Sequence, residues 1–348
     1  MNINTHFPLA PKLTCAVFSI AACLPAFAGN YDGQHFDGQD HSGSVQFAYT
    51  SCVETTFVGS TLCSTAFTSS NLTRADFTRA DCIGTKFADS ILTDAQFDLA
   101  VVKGADFSNS GLMKERLYET RSYIDKDMGA INLSRLNLQG VNFAAFSLGA
   151  ARFDGADLTS ANFERTVFTN TSFDGALIDA ANFSRSNFSM ELLKQTQNYH
   201  DKRLLKTDLS YLDFEDADFT GFTVEVVTFN HSNLQGVDFS GATLSGTSFN
   251  LANIKDANFS DSDLCARQFY ESYNYQNNDL GRVNLSRVNL SGWKLCDRTL
   301  RECTFSGADL TGTNLENSDL RNSDLSSTIG QARIKNTIGA DGVVRNAD

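Results

Sequence analysis

Proline is almost missing from this chain of 348 residues: there are three, beside one Trp and four Met. That composition agrees with one long domain grown by repetition rather than with separate globular cores. Charge is scarce too, at 20% of residues, and the basic side is the poorer, with 28 Lys and Arg against 41 Asp and Glu. A net charge of −13 excludes a sequence-independent grip on nucleic acid, which needs Lys and Arg to displace counterions. The same charge permits an acidic surface that imitates nucleic acid, and it also keeps a long rigid object soluble. Apolar runs are missing beyond Leu24, and the run Leu13–Leu24 is too short to cross a bilayer. No G-x-S-x-G, P-loop or H-E-x-x-H occurs, so neither an enzyme nor a cofactor is expected.

What the chain does hold is a beat of five. From Phe47 a large apolar residue or Cys returns at every fifth position through Cys52, Phe57, Leu62, Phe67, Leu72, Phe77 and Cys82, and on to Leu117. A small or β-branched residue stands two positions before each of the first fourteen centres, and Asp or Asn is favoured one position before. The beat breaks after Leu117, Leu193 and Phe269 and resumes at Met128, Leu204 and Leu280. The three breaks align with one another at an offset of 76, so a short repeat is nested inside a long one. Each break replaces a step of five by a step of eleven.

A period of five fits neither a helix nor an ordinary strand. It fits a chain that makes a short extended side, turns and repeats. The units Ala156-Asp157-Leu158-Thr159-Ser160 and Ala308-Asp309-Leu310-Thr311-Gly312 resemble the tandem A(D/N)LXX units of the pentapeptide-repeat family. The resemblance runs through most of the chain. It implies an all-β fold, a right-handed quadrilateral parallel β-helix (a solenoid) with four pentads per coil and the centre facing inward together with the residue two before it. Alternation of Phe with smaller centres in the first block agrees, since Phe would then line two opposite sides. Each break reads as a bulge of six extra residues, near 118–127, 194–203 and 270–279, and short helices are expected within Leu112–Tyr123 and Phe188–Tyr199, with Ser189 as an N-cap for the second. Fourteen sides per long repeat make three and a half coils, which predicts successive bulges on opposite faces. About 13 coils at the inter-strand spacing give a rod roughly 60–65 Å long. After each bulge the small inward position turns large, at Leu136 and Phe146, Leu212 and Phe222, Val288 and Trp293, which is read as filling of a distorted coil.

The ends are read separately. Residues 1–28 have the layout of a secretory signal peptide: a polar start, the apolar Leu13–Leu24 and a small-residue site at Ala26-Phe27-Ala28. Within them Ile20-Ala21-Ala22-Cys23 resembles a lipobox, in which Cys23 would carry a lipid anchor on an envelope lipoprotein. Either way export to the periplasm or the exterior is expected. Residues 29–46 are expected to cap the first coil, 47–325 to form the β-helix and 326–348 to form a polar tail over its other end. His35 and His41 with Asp37 and Asp40 could hold a metal, but a polar cap loop is the reading favoured, and no metal site is expected. By register Cys52 and Cys82 point inward while Cys63, Cys265 and Cys296 point outward; Cys63 and Cys82 face opposite ways, which blocks a bridge, and free cysteines are expected.

The expected function is an exported, non-enzymatic structural or protein-interaction scaffold for an unknown protein partner, without direct nucleic-acid binding. The alternative is an acidic DNA mimic, since some members of the family resemble B-form DNA and bind a topoisomerase. Tyr123, Tyr199 and Tyr275, repeated in the bulges, are the candidate partner contacts; the other reading is that each folds back on its own bulge.

Overall fold

A computed structural model describes residues 29–346. The segment expected as a signal peptide, with Cys15 and Cys23, lies outside them. Asp76 bridges Thr56 on one side and Gln96 on the other, both in parallel, and Asp81 bridges Thr61 and Val101 in the same way. Each partner is twenty positions away, so one coil holds four pentads.

The corner of each pentad is a tight turn. Around Leu72, the Ala75 N–H donates to the Leu72 carbonyl at 3.0 Å while Arg74 sits at φ 57°. Positive φ at the third residue is the signature of a type II turn. The residue before the centre fastens it: Asp76 Oδ1 accepts from the Thr78 N–H at 2.8 Å, and Asn71 Oδ1 from the Thr73 N–H at 3.1 Å. Asp and Asn are favoured there because their short side chains reach the backbone two residues on.

Inside, phenylalanines stack in columns. The rings of Phe47, Phe67, Phe87 and Phe107 follow one another at 5.1, 5.4 and 4.9 Å. Phe57, Phe77 and Phe97 do so at 5.2 and 5.0 Å. Those intervals are close to the spacing of hydrogen-bonded strands, so rings and backbone ladder stay in step. The small inward residues leave room for the rings, and their hydroxyls are satisfied across coils. Thr85 Oγ1 donates to the Leu62 carbonyl and Thr166 Oγ1 to that of Phe143, both at 2.7 Å.

The coil begins earlier than the sequence pattern indicates. Residues 29–46, expected as a cap outside the register, are themselves a turn of the solenoid. Strand β1 (Gly29–Asn30) pairs in parallel with β2 (Thr50–Ser51), His35 bridges Thr56 and Asp40 bridges Thr61. Tyr31 and His41 pack edge-on to Phe47 at 5.3 and 5.2 Å, and Phe36 stacks on Phe57 at 5.3 Å. The signal was present in Gly33, Gly38 and Gly43, which occupy successive corners at φ 66°, 66° and 69°. One extra residue before Phe47 hides it from a strict count of five. The tail likewise continues the ladder through Asn314↔Arg333 and Asp319↔Ile338, and ends in an antiparallel pair.

Each break in the beat is a six-residue bulge. Bridges that span twenty positions in the regular coils on either side span twenty-six at Asp106↔Asn132, Asn182↔Asp208 and Asn258↔Asn284. The extra chain winds into paired short helices: α1 (Lys114–Tyr118) and α2 (Arg121–Ile124), α3 (Met190–Leu193) and α4 (Gln197–His200), α5 (Ala266–Glu271) and α6 (Tyr273–Gln276). Ser189 is the N-cap residue of α3, as expected, but its side chain makes no capping bond. The first bulge leaves between Phe97 and Val102 of the coil below, and the third between Phe249 and Ile254, where the backbone pairing jumps. The column of Phe249 continues through Phe229, Leu209, Phe183, Phe163 and Phe143 to that of Phe97. These two bulges share one side, and the second, between Phe173 and Ile178, leaves from the opposite one.

Candidate functional site

The bulges are the principal departures from a uniform coil, and each is built by the same three devices. Where the ladder loses a carbonyl, a buried side chain replaces it. Val102, Ile178 and Ile254 donate their N–H groups to Ser122 Oγ, Asn198 Oδ1 and Asn274 Oδ1 at 2.9, 2.8 and 2.6 Å. The second helix of each pair is capped by Thr120, Thr196 or Ser272, whose oxygens accept from the N–H groups of Tyr123, Tyr199 and Tyr275. The tyrosine then reaches over the next coil. Tyr199 and Tyr275 donate their hydroxyls to the carbonyls of Asp218 and Lys294 at 3.3 and 2.7 Å, and Tyr123 donates to that of Asn142.

The rings rest on the large residues that follow each bulge. Tyr123 packs on Phe146 at 4.9 Å and Tyr199 on Phe222 at 5.1 Å. In the third bulge Tyr270 lies between Tyr275 and Trp293, at 4.7 and 6.0 Å. Phe146, Phe222 and Trp293 are buried, which is the filling expected of them. Burial and the neighbouring Tyr118 push the Tyr123 hydroxyl up to about 12, and burial raises Tyr199 and Tyr270 as well. The three repeated tyrosines thus clamp their own bulges. The large apolar side chains left exposed are Met113 and Ile124 in the first bulge and Tyr273 in the third.

The remaining sequence candidates fall where the register puts them. His35 is exposed and meets Thr56 Oγ1 at 2.8 Å, whereas His41 turns into the core beside Phe36 and Phe47. The structure does not bring the two histidines together, and no group of three potential metal ligands occurs among the described residues. Cys52, Cys82 and Cys303 are buried, Cys265 is exposed, and Cys63 and Cys296 are intermediate; all six are free. Burial pushes the Cys52 thiol up to about 11 and that of Cys82 further still. Many outward carboxylates are turn fasteners. Bonds from the Thr311 hydroxyl and N–H hold Asp309 below the usual carboxylate range, and bonds from Ser326 do the same for Asp324.

One outward feature escaped the sequence reading. At three successive corners of one edge stand Arg185, Tyr211 and His231, with the Tyr211 and His231 rings stacked at 4.6 Å and the Arg185 guanidinium 4.1 Å above Tyr211. The period of five marks which positions face outward but not which of them touch.

A stack of four-sided parallel coils, one pentad to a side, defines the protein as a β-solenoid repeat protein. Its sequence matches the family described as "Pentapeptide repeats", in eight copies, over residues 75–110, 131–170, 151–189, 228–266 and 294–327. The chain belongs to the pentapeptide-repeat family. Among solved structures it is similar to HetL, a pentapeptide repeat protein involved in heterocyst differentiation regulation from the cyanobacterium Nostoc, with 18% identity over 91% of this chain and 92% of that one and a TM-score of 0.17. It is also similar to QnrB1, a plasmid-mediated fluoroquinolone resistance protein, at 16% identity over 71% of this chain and 93% of that one, with a TM-score of 0.23. Rfr23 from the cyanobacterium Cyanothece gives 17% over 43% of this chain and 94% of that one, with a TM-score of 0.22. The family assignment rests on the repeat itself. No curated protein matches the sequence.

Proposed function

We propose that the protein is an exported, non-enzymatic scaffold: a right-handed quadrilateral β-helix that presents its bulges to a protein partner. The observation that carries this reading is the bulge itself. The coil departs from uniformity three times, at a constant interval of 76 residues, and the first and third departures expose Met113, Ile124 and Tyr273. Large apolar side chains are exposed on the uniform coils too, at Ile83, Val167 and Val226 among others, so it is their place on a repeated irregular element that supports the reading.

Two measurements test it. Fractionation with sequencing of the mature N-terminus is expected to find an exported protein beginning after Ala28 or at Cys23; a cytosolic protein still beginning at Met1 overturns export. Cross-linking from photoreactive groups at positions 113, 124 and 273 is expected to capture one partner protein in the envelope fraction. Equal capture from control positions in uniform coils would sink the bulge as the contact.

A second reading has its own support in the net charge of −13 displayed along a rod. An acidic mimic of nucleic acid would compete for a topoisomerase, and a supercoiling assay unaffected by the purified protein disposes of it.

A further inference from the structure

We infer that the groove beneath the third bulge, between His231 and Tyr273, binds an uncharged saccharide chain. The groove has a volume of about 520 Å³ and is open to solvent. It is lined by Tyr273, Leu251 and His231 together with the amides of Asn233, Asn253 and Gln235.

The chemistry is that of a sugar site. A pyranose presents a weakly apolar C–H face and pairs of neighbouring hydroxyls. An aromatic ring complements the first, and side-chain amides, which both donate and accept, complement the second. Tyr273 is 48% exposed, in contrast to the clamping tyrosines. His231 is held from one side by the Tyr211 ring, itself under Arg185, so the imidazole is fixed as a groove wall. The amides are pre-aligned: Asn253 Nδ2 donates to Asn233 Oδ1 at 3.0 Å, and Asn233 Nδ2 to Asp213 Oδ1 at 2.9 Å. Each amide nitrogen keeps a second N–H for a ligand. The only charged lining groups, Lys255 and Asp279, pair with each other at 3.3 Å, which leaves the groove without net charge and favours a neutral ligand.

The long repeat supplies an internal control. At the positions 76 residues before and after Tyr211 stand Arg135 and Arg287, and for His231 they are Gly155 and Gly307. Asn253 is matched by Leu177 and Ile329, and Tyr273 by Gln197 and, a further repeat back, Arg121. The solenoid therefore folds at these positions without aromatic rings or the amide. Tyr211 and His231 hold the corner conformation at φ 63° and 59°, as Arg135 and Arg287 do at 61° and 59°, so the turn itself does not require an aromatic ring there.

The proposal rests on the export reading for its setting only, since binding is measured on purified protein and survives or fails apart from export. The full chain, with Tyr273→Ala, His231→Gly and a control Gln197→Ala, is titrated with neutral hexose and N-acetylhexosamine tetrasaccharides by saturation-transfer NMR and calorimetry. At least one tetrasaccharide is expected to bind with a dissociation constant of about 0.1–1 mM. Tyr273→Ala and His231→Gly are each expected to weaken it ~10-fold, and Gln197→Ala to leave it unchanged. His231→Gly relieves the corner, so an undiminished melting temperature shows that lost binding is not lost fold. No binding up to ~10 mM, equal affinity in all variants, or binding of control peptides in place of every sugar would overturn the proposal.

Discussion

Val226 holds a β-branched side chain at φ 58° on the surface of the coil, a conformation in which such residues are outliers. Replacing it with Asn, which tolerates the left-handed region, is expected to raise stability by about 1 kcal/mol in urea unfolding. The opposite outcome is expected for Asn198, which is buried and stands in for a missing ladder carbonyl. Asn198→Leu leaves the Ile178 N–H unpaired in the core and should cost about 1–3 kcal/mol. Corner carboxylates set the acid limit. Asp309 and Asp324 are held below 3.8 by bonds to the ionised form, so their stabilisation is present above the unfolded value and is lost as pH falls through the folded one. Stability should therefore be level near neutrality and decline below about pH 4. Asp309→Asn, which keeps an accepting oxygen in the turn, should shrink that decline, as followed by melting temperature against pH.

At the scale of the element, the bulge is a detour that the ladder tolerates because three side chains repair it. Tyr199→Ala removes both the ring on Phe222 and the hydroxyl on the Asp218 carbonyl. A loss of about 1–3 kcal/mol is expected, with hydrogen exchange quickening in α3 and α4 ahead of the coils beside them. The tyrosines also set an alkaline limit. Tyr123 is raised to about 12 by burial and Tyr118, so its contribution is whole below the unfolded value near 10 and is lost between about pH 10 and 12. The position, length and alternating sides of the bulges were legible in the sequence, because a step of eleven among steps of five is arithmetic. Their repair was not. Ser122 and Asn274 look like ordinary outward polar residues until the coil below shows which carbonyl is missing. The same holds for the Tyr211–His231 stack and for residues 29–46: touching neighbours lie one coil apart, and a single inserted residue before Phe47 conceals that distance.

Across the whole molecule, stability is close to a sum of coils and their nearest-neighbour contacts, as in other solenoids. Phenylalanine stacks resume beyond the first two bulges, and buried Leu285, Leu290 and Leu295 continue the core beyond the third, so none of the bulges divides it. Excision of six residues from the second bulge, joining Leu193 to Leu204 by a side of ordinary length, should then leave a folded rod. A circular dichroism spectrum of the unfolded chain would refute that additive view. The excision also shifts nothing in the coils carrying the groove between His231 and Tyr273, so saccharide binding should persist in the shortened protein.

Three and a half coils between bulges gives the rod two working sides. The first and third bulges stand seven coils apart on one side, about 34 Å at the strand spacing, with the second facing away between them. A partner with two matching sites at that separation would be held by both, and the second engagement would be intramolecular, at an effective concentration set by a rigid spacer rather than by diffusion. The second bulge remains free to engage a different surface across the rod. On the proposed scaffold reading, the register of insertions would set the distance between two surfaces bound to the same side of the rod.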